Sequence, residues 1–272
     1  MLEKLVKETK LELLKIARNN PDIRLASSLS CLELLVALYH GKILNFYPQN
    51  PLYDSRDRFF ISKGHGSICF YPILAFLGFF DKKELENVGK MGSFLGSIPD
   101  PMIPGYESIN GSLGHAAGVA SGVALALKYK NKKENVVALL GDGELNEGSC
   151  WEAFMFMSHH KLDNLNIIID CNKAQMLDFT QNILDLKNLK DKFKTFDFEV
   201  FEIKNAHDVK ECEITLKDAI FKKDKKTKII IAHSIKGHGV KSLENKALSH
   251  ILSADINEVN ELIKGLENEN NA

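Results

Sequence analysis

Two polar clusters in this chain could bind a metal ion together, because each follows a short apolar run. A Gly-Asp-Gly triplet centred on Asp142 follows residues 136–140, and Asn172 comes shortly after residues 165–169. Carboxylate and amide oxygens, with a backbone carbonyl nearby, form the incomplete shell that Mg²⁺ takes when phosphates and water complete its octahedron. The pattern predicts a hard cation that carries a phosphate. Taken alone, the triplet also fits an ordinary turn at the end of a strand.

The surrounding elements determine whether Asp142 and Asn172 can meet. Both apolar runs are typical of strands in a parallel sheet that is covered on both faces. Residues 152–161, between them, have the length and composition of a helix, so the unit is strand, turn, helix, strand. Open α/β sheets bind ligands at the carboxyl ends of their strands. The pattern therefore places Asp142 and Asn172 together at that edge.

This arrangement resembles the signature of enzymes that depend on thiamine diphosphate, and residues 141–172 are similar to transketolases in particular. The resemblance implies that Asp142 and the side chain of Asn172 hold Mg²⁺, with the carbonyl of Ala174 completing the protein's ligands. The metal would bind the diphosphate of the cofactor, and Gly143 would lie beside it.

Two acidic residues near the triplet have two interpretations. By the resemblance, Glu147 and Glu152 lie near a subunit interface and help to link two active sites. By composition alone, they form a solvated acidic turn and a helix N-terminus, which favours negative charge.

Two histidines are candidates for catalysis. Glycines flank His65 just after a predicted strand, residues 58–61, and such a turn exposes the imidazole ring to a cleft. The N-terminus of the helix that follows favours anions. The resemblance places His65 beside the cofactor, although it could also simply cap a helix. His250 matches a family histidine that reaches the diphosphate or the substrate and stabilises developing charge. A third, His238, stands where the family has a lysine.

A loop rich in glycine, proline and serine, residues 88–111, is long enough to be functional. The resemblance implies an active-site loop, and it places Gly111, Ser112 and Leu113 against the cofactor. The same three residues could instead form the first turn of the following helix, residues 116–127, whose small side chains suit close packing.

Two positions depart from the family pattern. Transketolases usually carry substrate-contacting histidines where this chain has Arg24 and Ile98. The departures predict a less usual sugar, for example one from surface-polysaccharide or modified-sugar synthesis.

Composition favours an ordinary enzyme domain. The chain has 272 residues and a net charge of −1, which indicates no nucleic-acid or membrane partner. Its five cysteines are odd in number and unpaired in spacing, as in free thiols of a reducing compartment. The N-terminus lacks the apolar core of a signal peptide, and no apolar run reaches the ~20 residues of a membrane helix. A cytoplasmic location is the expectation.

Strand and helix patterns alternate along the chain. They predict an α/β fold, a single domain over residues 1–272 with a mainly parallel sheet of about five or six strands and helices on both faces. The further predicted strands are 198–203 and 228–232, and the further predicted helices are 2–18, 28–44 (capped by Ser28 or Ser30), 71–80, 183–196, 209–221 and 255–267.

The resemblance covers most of residues 20–250 and implies a function. The chain would be the N-terminal, diphosphate-binding subunit of a split transketolase, which moves a two-carbon ketol unit from a ketose or ketose phosphate to an aldose with thiamine diphosphate and Mg²⁺. The pyrimidine-binding domain, with its activating glutamate, is expected on a C-terminal partner subunit, in an assembly of two copies of each chain. Two alternatives stay open: another thiamine diphosphate enzyme, of deoxyxylulose-phosphate synthase-like or decarboxylating type, and a non-catalytic binding or regulatory module.

Overall fold

One parallel sheet of five strands organises the fold. The structure is a computed structural model that describes residues 1–271. The strands are β1 (Arg58–Ile61), β2 (Val136–Gly141), β3 (Leu165–Cys171), β4 (Glu199–Ile203) and β5 (Lys228–His233). Their order in the sheet is β1-β2-β3-β5-β4, and every neighbouring pair is parallel. The predicted α/β fold with a mainly parallel sheet is confirmed.

The register of the central strands brings the two polar clusters to one edge. Gly141 of β2 pairs with Asp170 of β3 at the carboxyl end of both strands. All seven residues of β3 are buried. Such continuous burial is possible because helices cover both faces of the sheet, which is why the two strands are apolar throughout.

Helices pack on both faces. They are α1 (Leu2–Asn19), α2 (Leu25–Leu29), α3 (Leu32–His40), α4 (Phe70–Phe76), α5 (Ala116–Tyr129), α6 (Gly148–His160), α7 (Thr180–Ile183), α8 (Leu189–Thr195), α9 (Val209–Phe221) and α10 (Ile256–Asn271), with 3-10 turns at Gly64–Cys69, Lys82–Asn87 and Gly143–Asn146. Alternate residues of β2 belong to two separate apolar clusters, Val137 to one and Val136 to the other. No helix within residues 1–271 is long and apolar enough to span a membrane.

The predicted helix over residues 28–44 is wrong in its start, its cap and its end, since α3 ends at His40. Two helices, α2 and α3, meet there at Ser30 and Cys31, and neither has a side-chain cap. The hydroxyl of Ser30 donates instead to Asp170 of β3, at 2.5 Å. A long-range contact has thus replaced the local cap that the sequence favours.

The predicted helix over residues 183–196 is also wrong, because α7 ends at Ile183 and α8 begins at Leu189. Lys187 has a φ of 55°, which no right-handed helix accepts. The side chain of Asn188 then caps α8 by accepting from the N–H of Asp191, a strong start signal inside an otherwise helical pattern.

The predicted helix over residues 71–80 is shorter than expected. The 3-10 turn at Gly64–Cys69 leads directly into α4, which ends at Phe76 just before Gly78 adopts a φ of +84°. All five cysteines are free, as predicted, and all five are buried.

Candidate active site

A cavity of about 510 Å³ opens at the carboxyl edge of the sheet, where β1, β2 and β3 end. Most of the site residues that the sequence predicts line this cavity. They are His65, Gly111, Leu113, Asp142, Gly143, Asn172, Ala174 and His250. Ser112 is exposed and does not line this cavity. Glu147 lines the cavity, whereas Glu152 is exposed on α6.

Asp142 is a buried carboxylate that backbone groups hold in place. It accepts hydrogen bonds from the N–H of Lys173 at 2.8 Å and of Gly143 at 2.9 Å, and from the hydroxyl of Thr180 at 3.4 Å. Burial, followed by the charge of Asp170, raises the pKa of Asp142 to about 6. No basic side chain within residues 1–271 forms an ion pair with this carboxylate. A bound cation would therefore offset the free-energy cost of burying its negative charge.

Asn172 presents its amide in one orientation. Its Nδ2 donates to Ser30 Oγ at 3.2 Å and to Asp170 Oδ2 at 3.3 Å, while its Oδ1 accepts from the N–H of Ala174 at 3.1 Å. An amide oxygen accepts two hydrogen bonds, so Oδ1 retains one lone pair for another ligand.

The residues at this end of the cavity fit a hard cation. A carboxylate oxygen from Asp142, an amide oxygen from Asn172 and the carbonyl of Ala174 are the donor types that Mg²⁺ prefers. The Ala174 carbonyl accepts from Lys236 Nζ at 3.2 Å. The described part of the chain holds no group of three or more His, Cys, Asp or Glu residues suited to a metal. A metal here would therefore depend on phosphate and water oxygens for much of its shell.

The two candidate catalytic histidines touch each other. The rings of His65 and His250 lie edge to face, with centroids 4.5 Å apart. Burial, and then the charge of Lys63, lowers the pKa of His65, and burial with the charge of Lys236 lowers the pKa of His250 to about 4. Both rings are therefore neutral near pH 7, so each can donate one hydrogen bond and accept another.

Sequence reasoning missed a buried ion pair beneath the cavity. Lys63 pairs with Asp170, and their side chains are only 2% and 0% exposed. Burial opposes the charge on Asp170, but Lys63 and the hydroxyls of Ser234 and Ser30 outweigh it and lower its pKa. Lys63 and Asp170 each stand two residues before a recognised site residue. Both are charged residues within two positions of the end of a predicted strand, residues 58–61 and 165–169, and this placement at the edge where such sheets bind ligands was a usable signal.

Two further buried charged residues were missed. Lys236 lines the cavity and donates to the carbonyls of Ala174 and Gln175, and burial lowers its pKa to about 8. Glu144 accepts from Ser62 Oγ and from the N–H of Gly114 at 2.8 Å, so it joins the end of β1 to the loop before α5.

The departures from the family pattern lie in different places. Arg24 and Ile98 line the same cavity, together with the exposed Asp22. His238 does not line it; its ring stacks on His207, with centroids 3.8 Å apart.

Several known proteins are similar to this chain. Residues 25–270 match the family model described as transketolase, thiamine diphosphate binding domain. The chain is 35% identical over 254 residues to one of the subunits of apulose-4-phosphate transketolase from Phocaeicola vulgatus, and the match covers 91% of this chain and 89% of that protein. It is 36% identical over 224 residues to a 6-deoxy-6-sulfo-D-fructose transketolase subunit of a Clostridium species, covering 82% and 80%.

The fold is similar to that of a solved transketolase from Campylobacter jejuni. The TM-score is 0.81 at 28% identity, and the match covers 97% of this chain and 42% of that one. The chain thus spans less than half the length of this solved transketolase, but most of the length of the two curated subunits.

Proposed function

The chain belongs to the transketolase family, as its thiamine diphosphate-binding domain, and from that premise we propose that it is the N-terminal subunit of a split transketolase that acts on an uncommon sugar. The reaction is the transfer of a two-carbon ketol unit from a ketose or ketose phosphate to an aldose. One observation carries the proposal: Asp142 and Asn172 line the same cavity as the neutral pair His65 and His250.

Thiamine diphosphate and Mg²⁺ are the cofactors of this family, and the cavity suits them. We assign Asp142, Asn172 and the carbonyl of Ala174 to the metal. The resemblance assigns four residues to the cofactor, which are Gly111, Ser112, Leu113 and Gly143. Three of them also line the cavity, whereas Ser112 does not. The bound cofactor supplies the carbon nucleophile and the electron sink of the reaction.

The two histidines act on the substrate and the diphosphate. Because His65 and His250 are neutral near pH 7, each offers an N–H to an oxygen on which negative charge develops, and neither adds a fixed positive charge. Their edge-to-face contact holds the two rings in a defined relative orientation.

The partner in this proposal is a C-terminal subunit that carries the pyrimidine-binding domain and the activating glutamate. Both curated relatives are named as transketolase subunits, which supports a divided enzyme. Apolar residues are exposed on two helices that touch each other, Val119 on α5 and Met155 and Phe156 on α6. This surface suits contact between two copies of the chain, giving two copies of each subunit. The five free cysteines agree with a cytoplasmic location.

The sugar is proposed to be a modified or otherwise uncommon ketose. Arg24 and Ile98 line the cavity, and they stand at the two positions where the family usually has histidines. The relatives named above act on apulose 4-phosphate and on 6-deoxy-6-sulfo-D-fructose. Normal turnover of xylulose 5-phosphate together with failure on every deoxy or modified ketose would contradict this part of the proposal.

Calorimetric titration of thiamine diphosphate, with and without Mg²⁺, tests the function. The titrations use this chain alone and with its partner subunit, and they compare wild type with Asp142→Ala. Metal-dependent binding that strengthens with the partner and disappears in the variant supports the proposal. The absence of binding in either setting would favour a non-catalytic module, and turnover of pyruvate in place of ketoses would favour a decarboxylating enzyme or a deoxyxylulose-phosphate synthase.

A further inference from the structure

A network of five side chains connects Asn172, one of the predicted metal ligands, to four residues around it. Its centre is Asp170, at the end of β3, whose side chain is fully buried. The carboxylate accepts from Lys63, from Ser30 at 2.5 Å, from Ser234 and from the amide of Asn172. Four donors thus converge on two oxygens.

The network joins segments that are distant in sequence. Lys63 follows β1, Ser234 follows β5, and Ser30 lies between α2 and α3. Lys63 Nζ also donates to Ser30 Oγ, at 3.0 Å. Gly66 allows this approach, since a Cβ there would lie 2.5 Å from Lys63 Cε and 2.8 Å from the carbonyl oxygen of Ser27. The lysine is therefore held between its partners and the backbone.

The hydrogen-bonding roles in this network leave one orientation for the amide of Asn172. The single proton of Ser30 points to acceptors, Asp170 at 2.5 Å and the carbonyl of Ser27 at 3.1 Å, so its oxygen can only accept from Asn172. The Asp170 carboxylate likewise only accepts. With the amide turned over, the carbonyl oxygen of Asn172 would face two acceptor oxygens.

We propose that Asp170 and Ser30 are positioning residues that turn the amide nitrogen of Asn172 inward and so direct its carbonyl oxygen to the Mg²⁺ site. The inference rests on the proposed function, because it assigns a role in binding the metal of that site. Partners behind a metal ligand commonly change metal affinity by about 10- to 100-fold when they are removed.

The chain offers a matched control in Ser234. Its hydroxyl donates to Oδ1 of Asp170, whereas Ser30 donates to Oδ2 and alone of the two serines contacts Asn172. Ser30→Ala and Ser234→Ala therefore each remove one hydroxyl from the same buried carboxylate. Only Ser30→Ala also removes one of the two acceptors of the Asn172 amide nitrogen.

The test measures the Mg²⁺ concentration, and separately the Ca²⁺ concentration, that half-saturates thiamine diphosphate binding to the assembled enzyme. Ser30→Ala should raise the value for Mg²⁺ about 10-fold. It should raise the value for Ca²⁺ much less, because Ca²⁺ tolerates irregular geometry and Mg²⁺ does not. Ser234→Ala should change both values less than about threefold. Ser30→Cys, which keeps a weaker acceptor, should lie between Ser30→Ala and wild type.

Three outcomes overturn the inference. Equal shifts in the two alanine variants would mean that only the stability of the network matters, and equal shifts for the two metals would mean that ligand orientation is not involved. Wild-type enzyme that binds thiamine diphosphate without any metal dependence would overturn the proposed function as well. Thermal unfolding of each variant shows whether it is folded. If Ser30→Ala does not fold, Ser30→Cys is compared with Ser234→Ala in its place.

Discussion

The two ends of the active-site cavity are built differently. At the end proposed for the metal, Asp142 and Asn172 have their polar atoms held by backbone N–H groups, hydroxyls and the Asp170 carboxylate. At the other end, the guanidinium of Arg24 forms no ion pair or hydrogen bond with any residue in the range 1–269, and Ile98 is 52% exposed. The first end holds its polar groups in internal hydrogen bonds, whereas the charged group at the second end lines the cavity without such a partner among residues 1–269.

The difference follows from where the residues lie. The metal end consists of strand ends, which the sheet holds in register, and of the buried network beneath them. The Arg24 end consists of loops and of the residue before a five-residue helix. Burial and lysine charges lower the pKa of His65 and of His250, and the charge of Arg24 adds to both shifts, so Arg24 lies at the histidine side of the cavity. We therefore expect cofactor binding and sugar preference to be separable by mutation.

Lys63→Met should have the largest effect, because it leaves Asp170 buried without its cation. Breaking a buried ion pair by removing one partner costs about 3–5 kcal/mol of unfolding free energy. Urea denaturation of the cofactor-free chain measures it. Lys128→Met, which removes the exposed pair with Asp163, is the control and should cost less than about 1 kcal/mol. Equal costs would mean that the metal end is no more strongly organised than the surface.

Asp142→Ala should weaken the Mg²⁺-dependent binding of thiamine diphosphate by about 100-fold or more, because a direct ligand should matter at least as much as its supporting partners. The variant should be folded, since it removes a buried carboxylate that has no cationic side-chain partner within residues 1–271. Calorimetric titration measures the affinity, and Asp218→Ala, exposed on α9, is the control. An unchanged affinity would mean that the metal binds elsewhere.

Arg24→Ala should change sugar use and leave cofactor binding nearly intact. An arginine hydrogen bond to a charged group contributes about 1.5–3 kcal/mol, so we expect the KM of an anionic sugar substrate to rise about 10-fold or more. The affinity for thiamine diphosphate with Mg²⁺ should change less than about threefold. Arg24→Lys, which keeps the charge without the planar fork, should recover only part of the loss. A comparable loss of cofactor affinity would show that the two ends are not separable.

The smallest expected effect is the change in unfolding free energy with pH that His250 causes. This residue lies at the boundary between the two ends. Burial and the charges of Lys236 and Arg24 hold the pKa of His250 at about 4, below its usual value of 6.5. A depressed pKa contributes stability that is present above pH 6.5 and is lost as the pH falls toward 4. Urea unfolding of the cofactor-free chain at pH 7.5 and pH 5 should show this loss, and His250→Gln should reduce it. An unchanged pH dependence in His250→Gln would contradict the assignment.

Much of the fold was predictable because the signals are local. The continuous apolar runs of β2 and β3 indicated buried parallel strands, and helix α9 begins and ends where its pattern predicts. The errors occurred where a local signal was overruled. Ser30 bonds to Asp170 in place of capping a helix, and the left-handed backbone at Lys187 divides a segment that is helical by composition.

For the site, the amino-acid sequence by itself determined the family, the Gly-Asp-Gly triplet and the asparagine 30 residues later, because residue type and spacing carry that information. Only the tertiary structure decided that Lys63, Asp170, Ser30 and Ser234 meet beneath Asn172. Their positions span more than 200 residues of chain, and no local pattern links one of them to another. The sheet brings them together, since parallel strands that are distant in sequence end at the same edge.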